Sequence, residues 1–308
     1  MLWIVLFHYT YRITELYPNV SFPFQFNNGG QVGVLFFFVI SGFFLGKSLL
    51  NSEQLSLKKV CGVIVNKYWR LWSSYVIAVI VIFIITTIIP LSGRTVGIRE
   101  FLINCLFIYH PKVDYVDSAH WFIAHLVVIQ TILSFFLLIK KKFRGIAILV
   151  YEAILIGILC TNSYLDDAIS GKLMWVLCVE SSLMVMIGYN LYQILDRGEL
   201  TNIVYICILI FYFSITISVI WVPIYSAVTI GALFYNKIIR CLKLLAILGD
   251  FSFSWYLIHQ NIGYVIILSL LCLNNSIISL IISMSLTFGG AFVIQFFVNK
   301  LPSKIIRK

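Results

Sequence analysis

Residues 33–50 read GVLFFFVISGFFLGKSLL, an apolar stretch in which Lys47 is the one charged side chain. About 18 consecutive apolar residues are enough to cross the hydrocarbon core of a bilayer as an α-helix. The backbone of such a segment satisfies all of its hydrogen bonds internally, which hydrocarbon requires. This stretch therefore predicts a membrane-spanning helix, and the rest of the chain can be compared with it.

Similar stretches recur along the whole sequence. The chain is 61% hydrophobic and 11% charged over 308 residues, whereas a soluble domain has roughly 25% charged residues. The composition predicts an all-α, polytopic bundle of about ten transmembrane helices in a single membrane domain, residues 1–308. Residues 1–11 are too short to cross, which we interpret as a truncated first span. The other nine spans are expected at 33–50, 72–90, 121–139, 146–161, 172–191, 203–219, 220–235, 251–273 and 277–298.

The basic residues set the expected orientation. Of the 22 lysines and arginines, 17 fall in the even-numbered connections and the C-terminal tail. By the positive-inside rule, those segments and both termini are cytoplasmic. The formal net charge of +10 follows from this topology and gives no reason to expect nucleic-acid binding, which needs a basic face on a folded domain.

The first candidate for chemistry is His8, which follows the apolar run Leu2–Phe7. An ionisable residue inside a membrane segment is a functional-site hypothesis by default. His8 is either an interfacial histidine with a solvated tip or a general base that takes a proton from a hydroxyl nucleophile.

The second span contains small residues among its aromatic ones, notably Gly33, Ser41 and Gly42. Small residues let a neighbouring backbone or a ligand approach closely. Helix packing alone explains any one of these glycines, so this stretch is weak evidence by itself.

A basic pair, Lys67 and Arg70, precedes the third span within Asn66-Lys67-Tyr68-Trp69-Arg70. Residues three apart share one face of a helix. The pair is either ordinary positive-inside charge with an aromatic interface anchor or a clamp for phosphate groups. A cytoplasmic donor with several phosphates, such as an acyl-coenzyme A, would suit such a clamp.

Two polar groups are expected at the outer side. His120 and Trp121 stand at the start of the fourth span, where they would stack on a sugar and bind its hydroxyls. Tyr256 and His259 lie on one helix face near the end of the chain, a polar stripe that must face the bundle interior. The histidine spacing does not favour a metal site, so no metal is expected.

Together these segments resemble the acyltransferase-3 family of integral-membrane acyltransferases, which O-acetylate bacterial surface polysaccharides and related carbohydrates. The matching pieces occur in the family's order along the chain. They are Val5–Tyr9, Gly33–Phe43, Lys67–Leu71, His120–Ile123 and Gly249–Gly263.

The resemblance implies that His8 is catalytic and that Lys67 and Arg70 lie near the coenzyme A phosphates. Three features depart from the family's pattern. The family usually has an arginine about ten residues before the histidine, whereas this sequence begins seven residues before His8. A proline is common in the family after the basic pair, where this chain has Ser73 and Ser74. Many members have a glutamate in the fourth-span motif, where the nearest ionisable residue here is His125.

The resulting hypothesis is acetyl transfer from cytoplasmic acetyl-CoA to a hydroxyl of a carbohydrate or lipid-linked glycan, across a bacterial inner membrane. Gly33, Ser41 and Gly42 would lie beside the donor, and His120, Trp121, Tyr256 and His259 would bind the acceptor. Membrane lipids are the other expected partners. A transporter or flippase for a lipid-linked sugar is the alternative, and an inactive or truncated paralogue is a third possibility.

Overall fold

The computed structural model describes residues 1–27, 29–107, 113–161, 167–198, 243–273 and 275–300. Within these ranges the chain is helical and contains no β-strand, so the all-α prediction is confirmed. Among the described residues, five helical segments are long and apolar enough to cross a membrane, namely Gly33–Asn51, Leu57–Ile88, Ser118–Leu138, Lys141–Thr161 and Ser276–Lys300. The protein is therefore a multi-pass membrane protein. The spans expected at 203–219 and 220–235 lie outside the described residues.

The helices follow one another through short connections. The first is α1 (Leu2–Phe7), which continues as a π-helical turn (His8–Arg12) and then as α2 (Ile13–Leu16). The others are α3 (Gly29–Asn51), α4 (Leu57–Ile88), α5 (Ile98–Cys105), α6 (Trp121–Phe135), α7 (Lys141–Thr161), α8 (Asp167–Val176), α9 (Val179–Arg197), α10 (Lys243–Ser269) and α11 (Ser276–Lys300). Short 3₁₀ turns precede α6 (Ser118–His120), follow it (Phe136–Leu138) and follow α10 (Leu271–Leu273).

Two predicted spans differ most from the observed helices. The span expected at 72–90 begins 15 residues earlier, at Leu57, because hydropathy marks the apolar part of a helix while its hydrogen bonds continue past the charged residues. The span expected at 172–191 is two helices. They are separated at Cys178, whose φ of 46° is left-handed and cannot continue an α-helix.

The described chain divides into two compact units. Unit 1 comprises Met1–Val34, Asn66–Ala124 and Leu244–Lys308, and unit 2 comprises Leu35–Val65 and His125–Lys243. The prediction of one functional domain stays a prediction.

In unit 1, α5 packs back along α4 in the opposite direction. The rings of Phe83 and Phe101 stack at a centroid distance of 4.3 Å. Further back on α4, the indole N–H of Trp72 donates to the carbonyl of Cys105 at 2.7 Å, and the Tyr68 hydroxyl donates to the carbonyl of Leu106 at 3.3 Å. These contacts cover about four turns of α4. The segment after α4 thus runs back along that helix within unit 1.

In unit 2, α3 and α9 cross at glycines. A Cβ added at Gly42 would overlap the backbone carbonyl of Val185, and one added at Gly188 would overlap the carbonyl of Val39. Each helix thus presents a glycine to the backbone of the other. This close crossing is the kind that small residues permit between membrane helices.

Candidate functional site

His8 begins the π-helical turn that follows α1. Such turns are rare and occur frequently at functional sites. The imidazole is partly exposed, and its Nδ1 lies 3.2 Å from the hydroxyl of Tyr264 on α10, 256 residues later in the chain. The rings of His8 and His259 are 5.0 Å apart between centroids. The first helix and α10 thus bring two histidines and a tyrosine together.

His8 faces a cavity of about 330 Å³ within unit 1. Aromatic and aliphatic groups form part of its wall, and hydroxyl, amide and guanidinium groups form the rest. The lining residues are Phe7, His8, Arg12, Gly30, Val34, Ser118, Ala119, Trp121, Tyr256 and Gln260. A cavity with apolar walls and a few convergent polar groups is the usual form of a small-molecule site.

A hydrogen-bonded network fixes one wall of this cavity. Gln260 accepts hydrogen bonds through Oε1 from the backbone N–H of Ala119 at 3.0 Å and from the Ser118 hydroxyl at 3.2 Å. Arg94 donates to Ser118 at 3.1 Å and to the side-chain oxygen of Asn261 at 2.9 Å. The segment before α6 is thereby tied to α10 at several points.

The buried carboxylate of Asp117 adds two more such links. It accepts from the backbone N–H of Ala119 at 3.0 Å and from the backbone N–H of Asn261 at 2.9 Å. Its side chain is 1% exposed. Because a buried carboxylate needs hydrogen-bond donors, these two N–H groups account for its position. We infer that Asp117 orders the cavity wall.

Arg12 lines the cavity and also pairs with Glu15, at 2.5 Å between Nη1 and Oε2. The hydrogen bond from Arg12 lowers the pKa of the Glu15 carboxyl, and one from Tyr11 lowers it further. Glu15 therefore remains charged and holds the guanidinium at one edge of the cavity.

The four residues predicted to bind the acceptor divide into two pairs. Trp121 and Tyr256 line the cavity. His120 and His259 are buried beside it, with 1% and 0% of their surface exposed. His120 lies against Tyr75 of α4, with ring centroids 5.0 Å apart. Direct acceptor binding by any of the four stays a prediction.

Both buried histidines have their proton positions fixed by carbonyl groups of α10. His259 Nδ1 lies 2.7 Å from the carbonyl oxygen of Tyr256, and His120 Nε2 lies 2.8 Å from that of Leu257. A carbonyl oxygen only accepts, so these nitrogens bear the hydrogen in the neutral rings. The other nitrogens, His259 Nε2 and His120 Nδ1, then have bare lone pairs, and neither has a partner among the described residues.

Tyr9, next to His8 in sequence, anchors the first helix on α10. Its hydroxyl donates to the carbonyl of His259 at 2.6 Å and lies 3.2 Å from the hydroxyl of Thr287. Its ring fits against Gly263, where an added Cβ would overlap the phenol. Gly263 is therefore required for the close approach of the two helices beside His8.

The predicted donor clamp lies on α4. Lys67 is partly buried and Arg70 is exposed. Tyr75, the residue in contact with His120, follows Arg70 by five positions, an axial rise of about 7.5 Å on an α-helix. The basic pair and the ring that contacts His120 thus belong to one helix of unit 1.

The glycines predicted to lie beside the donor have helix-packing contacts. A Cβ at Gly33 would overlap Ile4 of α1, and Gly42 contacts Val185 as described above. Ser41, next to Gly42, is partly exposed. A role for Gly33, Ser41 and Gly42 in donor binding stays a prediction.

Tyr264 and Gln260 were not among the residues chosen from the sequence. Gln260 follows Tyr256 by four residues and Tyr264 follows it by eight, so all three share one helical face. A polar stripe drawn through Tyr256, Gln260 and Tyr264 would have found them. No comparable sequence pattern marks Ser118, Arg12 or Arg94, because each lies in a connection or near a helix end.

An imidazole at the edge of such a cavity can accept a proton from an alcohol or receive an acyl group itself. A metal-dependent reaction would need a cluster of ligands, and within the described ranges no group of three His, Cys, Asp or Glu side chains is placed to hold a metal ion. The expectation that the reaction needs no metal stays a prediction.

Comparison with known proteins assigns the chain to a family. The family model described as an acyltransferase domain matches residues 1–296. No curated protein and no solved structure matches the chain significantly. The family match supports acyl transfer to a hydroxyl group and gives no support to a transporter. Since the match covers nearly the whole chain, this protein belongs to the acyltransferase-3 family of acyltransferases.

Proposed function

We propose that this protein transfers an acetyl group from acetyl-CoA to a hydroxyl of a cell-surface carbohydrate, in the inner membrane of a bacterium. The main support is the position of His8, an imidazole that lines a cavity of about 330 Å³ together with an indole, a phenol and amide and hydroxyl groups. These are the groups that bind a polyol and activate one of its hydroxyls.

His8 acts as the general base in this proposal. Its free ring nitrogen takes the proton of the acceptor hydroxyl while that oxygen attacks the thioester carbonyl carbon. The carbon–sulfur bond then breaks, and the departing thiolate takes the proton from the imidazolium to leave as coenzyme A. In the rival chemistry the imidazole nitrogen attacks first, and an acetyl-histidine passes its acetyl group to the hydroxyl.

The acceptor side of the cavity is suited to a sugar. Trp121 offers an aromatic face, while Ser118 and Gln260 offer a hydroxyl and an amide on the same wall. A sugar has apolar C–H faces and many hydroxyls, so it needs both kinds of group. Arg12 adds a cation whose charge is balanced by Glu15.

The donor side is assigned to Lys67 and Arg70. A guanidinium binds two phosphate oxygens at once and an ammonium adds a point charge. Coenzyme A has three phosphates, whereas simpler thioesters have none. A donor that keeps the thioester but lacks the nucleotide is therefore expected to react much more weakly than acetyl-CoA.

Membranes from cells that express the protein test this function. They are incubated with radiolabelled acetyl-CoA and a panel of nitrophenyl glycosides (glucoside, galactoside, rhamnoside and N-acetylglucosaminide), and acetylated product is separated and counted. His8→Ala is expected to lower the rate about 100-fold to 10,000-fold, the usual contribution of a general base. An acetyl thioester of N-acetylcysteamine serves as the donor without phosphates.

His125→Ala is the matched control. This histidine is also in a membrane helix, but it belongs to unit 2, where its Nδ1 lies 2.9 Å from the hydroxyl of Ser181. It should leave acetylation near the parent rate at equal protein level. Acetylation that survives His8→Ala would remove His8 from the mechanism, and no acetylated product from the parent protein would contradict the transferase function.

A further inference from the structure

We propose that Tyr264 is a positioning residue for His8, which it orients through a hydrogen bond to Nδ1. This inference rests on the proposed function, since it concerns how the catalytic imidazole is prepared. Its first support is the 3.2 Å separation between His8 Nδ1 and the Tyr264 hydroxyl. Because Nδ1 is engaged there, Nε2 is the nitrogen left for the substrate.

The Tyr264 hydroxyl is itself held in place. Gln260 lies one turn earlier on α10, and its side-chain N–H donates to that hydroxyl at 3.4 Å. The orientation of the amide is not ambiguous, because its oxygen receives the backbone N–H of Ala119, and a backbone N–H can only donate. The nitrogen end of Gln260 must therefore face Tyr264.

The Tyr264 ring is fixed as firmly as its hydroxyl. It is completely buried. The guanidinium carbon of Arg94 lies 5.1 Å from its ring centroid, a cation–π arrangement, and the ring of Tyr17 meets it edge-on at 6.2 Å. Arg94 also binds Ser118 and Asn261, so the same network that orders the cavity wall orders Tyr264.

The direction of the hydrogen bond follows from the chemistry. A neutral imidazole has one N–H and one bare nitrogen. To accept a proton or an acetyl group, Nε2 must be bare, so Nδ1 must hold the hydrogen and donate it to the Tyr264 oxygen. The opposite direction, with the tyrosine donating to Nδ1, would place the hydrogen on Nε2 and block the reaction.

This bond strengthens during catalysis. When Nε2 takes the substrate proton the ring becomes an imidazolium, and a hydrogen bond from a charged donor is roughly twice as strong as one between neutral groups. An interaction that is stronger in the transition state than in the ground state raises kcat and leaves KM little changed.

The first test is Tyr264→Phe, which keeps the ring and removes the hydroxyl. We expect kcat to fall about tenfold to 100-fold, the usual effect of one hydrogen bond to a charged group, with KM for acetyl-CoA within about twofold of the parent value. Tyr17→Phe is the matched control. It removes a hydroxyl from a ring that touches Tyr264, and that hydroxyl contacts only the carbonyl of Ser92 at 3.4 Å in the described structure, so kcat should stay unchanged.

The second test changes the acceptor strength of the oxygen without deleting it. A fluorotyrosine at position 264, introduced by nonsense suppression, makes the phenol a better donor and a poorer acceptor. The rate should fall if Tyr264 accepts from His8, and a rise in rate would overturn the proposal. An unchanged kcat in Tyr264→Phe would also overturn it. In that case an active parent protein and an inactive His8→Ala variant would leave the proposed function standing.

Discussion

Three buried basic side chains of this protein differ in how completely they are hydrogen-bonded. In unit 2, Arg144 is 1% exposed and forms hydrogen bonds from all three guanidinium nitrogens. It donates to the carbonyls of Phe136, Leu49, Ser52, Glu53 and Ile139. In unit 1, His259 and His120 are equally buried, yet each has one ring nitrogen without a partner among the described residues.

The difference separates a structural residue from candidate functional ones. A guanidinium has five N–H groups, and the five carbonyls around Arg144 match that number. Most of these carbonyls stand at the C-terminal end of α3 and in the turn after α6, where helices leave carbonyls unpaired. Complete pairing leaves nothing for a ligand. A buried lone pair without a partner costs free energy, which makes these two ring nitrogens candidates for contact with a ligand.

Removing Arg144 should produce the largest effect. Arg144→Met removes the guanidinium donor from five carbonyls, and we expect a loss of about 3–5 kcal/mol of stability, as for other broken buried polar networks. Thermal unfolding of the detergent-solubilised protein measures it.

Arg144→Lys sharpens this result, because an ammonium has three donors and satisfies at most three of the five carbonyls. Its stability should fall between those of the parent and Arg144→Met. Acetyl transfer per folded molecule should remain normal in both variants. A stable Arg144→Met protein would show that these bonds are dispensable.

A smaller effect is expected at the contact between Tyr9 and α10. Gly263→Ala places a methyl group against the Tyr9 phenol, and overpacking of this kind costs about 1–3 kcal/mol. Because Tyr9 adjoins His8, the rate of acetyl transfer should fall together with the unfolding temperature.

Gly289→Ala is the control for that change. An added Cβ at Gly289 on α11 meets no atom within 4 Å, so alanine there should be neutral or stabilise the helix by about 0.5–1 kcal/mol. Equal behaviour of the two variants would argue against a tight contact beside His8.

The smallest effect should separate activity from stability. Asparagine at position 259 keeps a side-chain N–H in reach of the Tyr256 carbonyl and removes Nε2. We expect His259→Asn to keep the parent unfolding temperature while its kcat falls about tenfold, the size of one hydrogen bond. Paired assays of thermal unfolding and acetyl transfer measure both. Lower stability with an unchanged kcat would make His259 a structural residue like Arg144.

The sequence predicted the helices better than it predicted their ends and contacts. The span expected at 277–298 is found at Ser276–Lys300, and that at 33–50 lies within Gly29–Asn51. Long apolar segments have no other stable form in a membrane. The break at Cys178 has no such signal, since cysteine is an ordinary residue in a helix and its left-handed backbone depends on its surroundings.

The site was predictable only in part, for a similar reason. His8, Trp121 and Tyr256 were chosen from the sequence, and all three line one cavity. Tyr264 and Gln260 gain their significance from contacts with residues more than 100 positions away, which no local pattern records. Arg144 is one of the 17 basic residues in the predicted cytoplasmic segments, and nothing in the sequence distinguishes it from the others. Its burial among carbonyls depends on where α3 and α6 end and where α7 begins.

The π-helical turn at His8–Arg12 makes the first helix sensitive to length. A π turn contains one residue more than an α turn, so everything after it is rotated by about 100° relative to a regular helix. Residues before the turn, such as Ile4, meet the start of α3, while Tyr9 within it meets α10. If a single residue were lost here, the turn would become an ordinary α-helical turn. Ile4 could then no longer contact α3 while Tyr9 contacts α10.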